Sequence, residues 1–445
     1  MSSIPESFKK RIIAQFHPDG EAFLSAIDKP ANTSIRVNKS KGNVQFDSAQ
    51  NVLWCKDGLV LNSRPSFTLD PMFHAGCYYP QESSSMFLDF VLNHILETKS
   101  NVRFLDLCAA PGGKSLILSD FVGDNGVLIS NEVNRSRNQI LKEVITKWGR
   151  GNTIVTCNES KDFQNIKNYF DCVLVDAPCS GEGMFRKDMQ ARDEWSEENV
   201  ANCAIRQETI INDIADSVKE NGYLIYSTCT FATEENEDNC QKILKLGFES
   251  VDISINEEWG IQKRISDGVI AFRFLPHLVP GEGFFIAAFK KVSESASKKS
   301  KLSRTFVSAS KDESAILQNR FGGNFQIVKA PSGACFFSPV DLDELNLLAE
   351  HLYIAMPGIE TGHFIRNDFI PAHPFALAQG KLQGYDYHEL SLDQALNYLR
   401  GEQLNIVGKT GWSIVTYKGL SLGWVKVLAN RVNNYYPKEW RIKLK

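Results

Sequence analysis

Five short apolar runs, spaced by helix-like segments, constrain this chain more than any other feature. VRFLDLCA (102–109), GVLISNEV (126–133), NTIVTC (152–157), FDCVLVDAP (170–178) and GYLIYSTC (222–229) are each closed by small or turn-forming polar residues. They do not alternate apolar with polar residues as a half-exposed strand does. Runs of this kind suit strands buried on both faces of a parallel sheet. Between them lie helix candidates, among them Asn134 to Trp148 and Ser196 to Lys219. Strand and helix in alternation predict a doubly wound α/β domain over residues 101–290. GVIAFRF (268–274) and GFFIAAF (283–289), joined through PHLVPGEG, predict a terminal antiparallel pair.

The remaining chain divides by composition. At 445 residues there is room for about three domains of roughly 150 residues. Residues 1–100 read as a smaller mixed region: a helix at Pro5–Phe16, an extended piece TSIRVNK (33–39), and an aromatic, polar stretch HAGCYYPQESSSM (74–86). Residues 291–304 are Lys/Ser-rich and read as a linker. Residues 305–383 form one α/β module, and 384–445 a β-rich module of short strands with Trp, Tyr, Val and Gly. No internal repeat is visible. With 43% hydrophobic and 23% charged residues, wholesale disorder is excluded. No run approaches the roughly 18 apolar residues of a membrane span. The start, MSSIPESFKKRII, lacks the apolar core of a secretory signal. Ten cysteines show no CxxC pair, and eight scattered histidines show no zinc spacing. The expectation is a cytoplasmic protein with free thiols, no metal and no membrane partner.

FLDLCAAPGGKSLIL (104–118) is strand, turn and helix, and its glycines allow a ligand close to the backbone. A phosphate-binding P-loop needs Gly where Cys108 stands, and a GxGxxG dinucleotide turn is absent. A nucleoside-type cofactor remains, held by backbone and carboxylates. Asp106, Glu132 and Asp176 end the first, second and fourth strands, on the rim where open α/β sheets bind ligands. One such acid often only caps the next helix; three around APGG favour a ligand.

Cys179, in DAPCSGEG, and Cys229, in STCTF, end the fourth and fifth strands and so face one crevice. Cys55, Cys77, Cys157, Cys172, Cys203, Cys240 and Cys335 read as small buried hydrophobes, and Cys108 as a packing residue that offers its backbone. A thiolate beside an acid and a methyl donor suits carbon 5 of cytosine. Addition at carbon 6 with protonation at N3 makes carbon 5 nucleophilic, and a base then removes its proton as the thiolate leaves. Asp176 is placed for the N3 edge. Methylation of an amino group would favour an Asn/Asp-Pro-Pro-aromatic motif, which DAPCS is not. Position alone does not rank the two cysteines.

Together CAAPGGK, DAPCSGEG and STCTF resemble the Nop/Nol/Sun family of RNA cytosine-5 methyltransferases, in order and spacing, over about residues 1–290. RVN (36–38) and YYPQESSSM (78–86) look like the family's N-terminal RNA-side segments. SLGWVKVLANRVNNYYPKEWRI resembles the PUA-like C-terminal module of the bacterial RsmF-like members, which act on small-subunit ribosomal RNA; residues 305–380 match their first C-terminal domain only weakly. The resemblance implies a Rossmann-like class I methyltransferase domain with S-adenosylmethionine as cofactor. It implies Cys108, Ala109, Ala110, Pro111, Gly112, Gly113, Lys114, Glu132 and Asp176 at the cofactor site. Where the family has Asp after the third strand this chain reads TCNES, so Glu159 takes that place. Cys229 is implied as nucleophile and Cys179 as the residue that assists product release. Lys187 is either a contact to RNA or a solvated surface lysine.

The chain's partner is expected to be RNA, most simply 16S ribosomal RNA or the small subunit, bound by a monomer. Transfer RNA is the alternative substrate, and a non-catalytic RNA-binding assembly factor a third reading. The net charge of -4, from 49 basic and 53 acidic residues, does not argue against this. Six Lys, two Arg and one Glu from Gln403 onward give residues 403–445 a net +7, and residues 290–304 carry +5. Trp412, Tyr417, Trp424, Tyr435, Tyr436 and Trp440 are interleaved with the basic residues. Cations meet phosphate and aromatic rings stack on unpaired bases, although half of these rings are expected in the module's own core. His277 reads as a hydrogen-bonding loop residue.

Overall fold

The computed structural model describes residues 4–42, 44–96, 101–293, 303–321, 325–366 and 368–444. Its centre is a ten-stranded sheet. The five runs form parallel strands at Arg103–Asp106, Val127–Asn131, Thr153–Thr156, Phe170–Asp176 and Val218–Thr228. Their spatial order is fifth, fourth, first, second, third. Neighbouring residues of one strand enter opposite cores. Leu105, Ile129, Val173 and Leu224 pack on one face, and Phe104, Leu128, Leu174 and Ile225 on the other. That is why the runs show no alternation. Each such side chain, fully buried, contributes about 2 kcal/mol of transfer free energy.

The connections follow local rules. Asn134 caps the helix Arg135–Trp148 by accepting from the Ser136 and Arg137 N–H groups, and Gly149 ends it at φ +79°. Ser196 caps Glu197–Ile214. Val269–Phe274 and Phe284–Lys291 form the terminal antiparallel pair, with Phe284–Lys291 alongside the fifth strand.

The N-terminal region is a four-stranded antiparallel sheet in the order Gln50–Val52, Cys55–Leu61, Thr33–Val37, Tyr78–Pro80, with two helices before it. The RVN segment is buried. Arg36 is 1% exposed, with one guanidinium nitrogen within 3.3–3.8 Å of Asp57, Asp89 and Asp120. Asn38 donates to the carbonyls of Gly76 and Trp148. Charge here ties the first region to the central domain.

The C-terminal half is less separate than its composition suggests. A five-stranded antiparallel sheet spans Val307–Ser308 to Asp368–Pro371, but Ile354–Met356 leaves it and pairs antiparallel with the third parallel strand. Phe306, Val328, Leu345 and Leu348 join one of the central cores. Arg103 grips Glu344 through two nitrogens, at 2.5 and 2.8 Å. The last module pairs Asp386–Glu389 parallel to Gly411–Tyr417, then adds Leu420–Val427 and Val432–Asn434 antiparallel. Its Tyr398, Val415, Leu422 and Val425 share a core with Ile35, Val37 and Tyr78 of the first region. Of the expected linker, residues 294–302 lie outside the described residues. No helix among the described residues is long and apolar enough to cross a membrane.

Candidate active site

The carboxyl ends of the parallel strands open on two joined chambers. One, of about 590 Å³, runs from Leu107, Cys108, Glu132 and Val133 past Asp176 to Cys179 and Cys229. The other, of about 490 Å³, shares Cys108, Asp176 and Cys229 and adds Tyr79, Gln81, Asp106, Lys114, Lys187 and Phe284.

The CAAPGGK turn shapes the floor. Ala110–Pro111 is cis, Gly112 has φ +122°, and the helix Gly113–Val122 starts immediately after. A Cβ on Gly112 would lie 2.9 Å from Val144 Cγ1, and one on Gly113 would lie 3.2 Å from Tyr79 Cε1. Only glycine fits both the backbone angle and the space at position 112. Asp106 is fully buried. It accepts from Ser115 Oγ at 2.6 Å through one oxygen, while the other has no partner. Burial pushes its carboxyl up to about 7, against the pull of the Ser115 hydrogen bond. Glu132, also buried, accepts from the Asn134 N–H at 2.9 Å, and its other oxygen is 3.5 Å from Arg137. Arg137 in turn donates to the Ala110 carbonyl at 2.6 Å, so it braces the turn against the second strand. Lys114 Nζ donates to Asp176 Oδ2 at 2.9 Å, and Ser227 Oγ donates to Asp176 Oδ1 at 2.8 Å. Burial alone would lower the Lys114 ammonium; Asp176 beside it more than offsets this, and the net shift is upward.

Cys179 and Cys229 meet, Sγ to Sγ, at 3.0 Å. The contact with Cys229, with burial added, holds the Cys179 thiol well above the usual thiol range. Two buried glutamates fix the loops that carry them. Glu235 accepts from the Ser180 N–H, Ser180 Oγ and Gln207 Nε2. Glu182 accepts from Trp195 Nε1, Thr230 Oγ1 and the Phe231 N–H. Ser180 and Thr230 hydroxyls join the two sets at 2.9 Å. Gly183 donates its N–H to the Cys229 carbonyl at 2.7 Å, and any Cβ on it would strike that oxygen.

Cys108, Ala109, Ala110, Pro111, Gly113, Lys114, Glu132, Asp176, Cys179 and Cys229 therefore surround one cleft. Glu159 stands apart. The chain turns outward after the third strand into a short 3-10 helix, and the exposed Glu159 carboxylate pairs with Lys161 at 2.5 Å. It lines neither chamber. Asn158 points inward instead, joined to Asn131 and to the backbone of Tyr353. Lys187 lines the second chamber, 3.8 Å from Glu282. His277 makes no hydrogen bond through either ring nitrogen; it packs edge-on against Phe23. Sequence reasoning missed Glu182, Glu235, Arg137 and Gln81. For the two glutamates the available signal was an acid within the small-residue text SGEG and another six residues after Cys229. Among the described residues, no group of three or more His, Cys, Asp or Glu is placed to hold a metal ion.

The site fits a cationic nucleoside cofactor: a glycine cradle with no room for side chains, three carboxylates on the rim, and a buried acceptor on Asp106 without a donor. Fold and cleft define a class I S-adenosylmethionine-dependent methyltransferase. The family described as "16S rRNA methyltransferase RsmB/F" matches residues 93–290. The "N-terminal domain of 16S rRNA methyltransferase RsmF" matches 4–83, and the "Methyltransferase RsmF PUA domain" 387–442. Proteins named ribosomal RNA small subunit methyltransferase F are similar over nearly their full length. That of Psychromonas ingrahamii is 30% identical over 94% of this chain and 93% of its own. That of Vibrio parahaemolyticus is 30% identical over 98% and 97%. A solved methyltransferase homolog from Pyrococcus horikoshii is 26% identical, with TM-score 0.56 over 64% of this chain and 95% of its own. NSun6 from the same organism, solved with SFG, shares the fold at 19% identity, TM-score 0.56, over 66% and 100%. The chain belongs to the ribosomal RNA small subunit methyltransferase F family.

Proposed function

We propose that this protein methylates carbon 5 of a cytosine in small-subunit (16S) ribosomal RNA, through a covalent bond from Cys229 to carbon 6. The observation that carries the reading is the pair of cysteines, 3.0 Å apart, beside Asp176 in a cleft whose other wall is acidic. S-adenosylmethionine, when bound, supplies an electrophilic methyl group. Asp106, Glu132 and the 108–114 turn hold it. The Cys229 thiolate adds to carbon 6 of the base, and Asp176, as acid, protonates N3, so electron density collects at carbon 5. Lys114 and Ser227 fix the Asp176 carboxyl for that edge. Once carbon 5 carries its new methyl, Cys179 assists removal of the carbon 5 proton. The electrons left behind reform the 5,6 double bond and expel the Cys229 thiolate, while N3 returns its proton to the Asp176 carboxylate. Lys187, on the chamber rim, meets RNA phosphate. Cys229→Ser abolishes methyl transfer while S-adenosylhomocysteine binding persists; full activity in that variant sinks the assignment. Bisulfite mapping of ribosomal RNA from cells with and without the gene names the target nucleotide, and a change confined to transfer RNA would overturn the substrate.

A further inference from the structure

Two buried oxygens in the cleft wall have no hydrogen-bond partner, Gln81 Oε1 and Asp106 Oδ1. Both residues line the second chamber. Asp106 belongs to the first parallel strand. Gln81 comes from the N-terminal region, immediately after the strand Tyr78–Pro80, and is 7% exposed. Its backbone is pinned, the N–H donating to the Ser34 carbonyl at 3.1 Å and the carbonyl accepting from Ser34 Oγ at 2.6 Å.

The orientation of the Gln81 amide follows from its neighbour. Ser85 Oγ spends its one hydrogen on the Glu82 carbonyl at 2.7 Å. Toward Gln81 it only accepts, and it does so from Nε2 at 3.3 Å. The amide oxygen is therefore the group left over. It sits by the start of the helix Gly113–Val122: a Cβ built on Gly113 would lie 3.4 Å from Gln81 Cδ. Asp106 reaches the same helical turn through Ser115. Two unsatisfied acceptors thus flank one helix start inside one cavity. Buried acceptors without donors are unfavourable, and natural sites keep them for a ligand. A primary ammonium, with three N–H donors on a single atom, satisfies both.

We infer that Gln81 Oε1, together with Asp106 Oδ1, receives the α-ammonium of the cofactor's amino-acid end. This rests on the cleft being the S-adenosylmethionine site. It gives the N-terminal region a share in cofactor recognition, and it makes the YYPQESSSM segment a cofactor-side element as well as a structural one. Recognition of this kind selects ligands that carry the amine over thioadenosines that lack it. Burial pushes the Asp106 carboxyl up to about 7 on its own; an ammonium beside it favours the carboxylate, so the two acceptors act together.

The test is calorimetric binding of S-adenosylhomocysteine and of 5′-deoxy-5′-methylthioadenosine, which lacks the amino-acid end. Gln81→Met keeps the length of the side chain and removes the acceptor. It weakens S-adenosylhomocysteine about tenfold, the loss of one hydrogen bond to a charged group, and leaves methylthioadenosine within about twofold. Gln81→Glu retains an acceptor and retains S-adenosylhomocysteine affinity. Unchanged S-adenosylhomocysteine affinity in Gln81→Met overturns the inference. So does an equal loss for both ligands, which marks a collapsed site. Wild-type protein that binds neither ligand overturns the cofactor reading beneath it, and the inference with it.

Discussion

The cleft and the C-terminal β module both carry polar and aromatic residues, yet they are built on opposite plans. In the cleft the loops that carry the two cysteines are tied by buried polar groups. Glu182 and Glu235 between them accept six hydrogen bonds, four of them from the loops that carry the cysteines. On the module, only part of the basic and aromatic set reaches the surface. Trp412 and Tyr435 meet at 4.4 Å between ring centroids, Lys426 lies over Trp412 at 5.2 Å, and Tyr435 and Arg431 are exposed. Of the six rings expected to be half core, Trp424 and Tyr436 are buried, Trp412, Tyr417 and Trp440 are half-buried against cores, and Tyr435 is exposed. Bond-making tolerates displacements of a fraction of an ångström, so its groups are braced. Holding a polyanion is electrostatic and tolerates movement. On the proposed function, one region is braced because it reacts and the other reaches the surface because it grips RNA.

Changes in the cleft are therefore expected to be severe and changes on the module graded. After the complete loss expected at Cys229, the largest effect is at Cys179. Cys179→Ala lowers turnover by about 10²–10⁴-fold, the range for a positioned proton-transfer group, and accumulates a covalent RNA–protein adduct. A slow band on a denaturing gel reads it, and normal release of RNA would refute the role. Next is Glu182→Ala. It strands Trp195 Nε1 and the Phe231 N–H, both buried, while Thr230 Oγ1 keeps Ser180 Oγ at 2.9 Å; the cost is about 3 kcal/mol, measured by urea unfolding. A loss under about 0.5 kcal/mol, the level of an ordinary surface change, would mean that the brace is dispensable.

How much of this is legible in the sequence depends on whether the deciding contact is local. The five strands are readable because burial on both faces writes itself into each run, as at Leu105 beside Phe104. The cysteine rim follows from the sheet alone, since strands that run parallel must end together. Glu182 and Glu235 are not readable as braces. Each is an isolated acid in its own loop, and its function exists only once Ser180, Thr230 and Phe231 converge on it. The resemblance puts Glu159 where the family has Asp after the third strand, but the chain leaves the rim one residue earlier, at Asn158. Ile354–Met356 is invisible for a similar reason: an edge strand pairs with whatever edge the fold presents. RVN reads as an RNA-side segment only by its resemblance to the family, whereas the three carboxylates around Arg36 come from three distant segments.

A smaller effect tests how the module is fastened. His74 and His373 lie where the first region, the helix Arg135–Trp148 and the last module converge. His74 Nδ1 is 3.2 Å from Tyr436 Oη, and His373 packs against Tyr436 and Trp440. Burial, with Lys147 nearby, lowers His74 to about 4; burial, with Lys147 and Lys41, lowers His373 to about 3. Both are neutral when folded, and the unfolded chain takes up protons below the ordinary value of 6.5. The stability they permit is complete above that value and is lost as pH falls toward 4 and 3. The slope is about 1 kcal/mol per histidine per pH unit. Urea melts from pH 7.5 to 5 read this, and His373→Phe flattens the curve. An unaltered slope in that variant would show that the ring is not buried neutral.

The mildest change falls on the open face, and it separates the two plans most directly. Lys426→Glu with Arg431→Glu reverses two charges that hold no buried partner's hydrogen bond. Each cation that meets a phosphate adds about 0.7–0.9 to the salt slope of log affinity. If both do so, the double variant binds substrate RNA several-fold more weakly at about 0.1 M salt, and its salt slope falls by about 1.4–1.8. S-adenosylhomocysteine binding does not change, because the cleft is braced independently of this face. Filter binding across a salt series measures the first two quantities and calorimetry the third. An RNA affinity equal to wild type with an unaltered slope would remove the module face as the RNA grip. A fall in cofactor affinity would break the contrast itself, since it would mean that the open face and the braced cleft move as one.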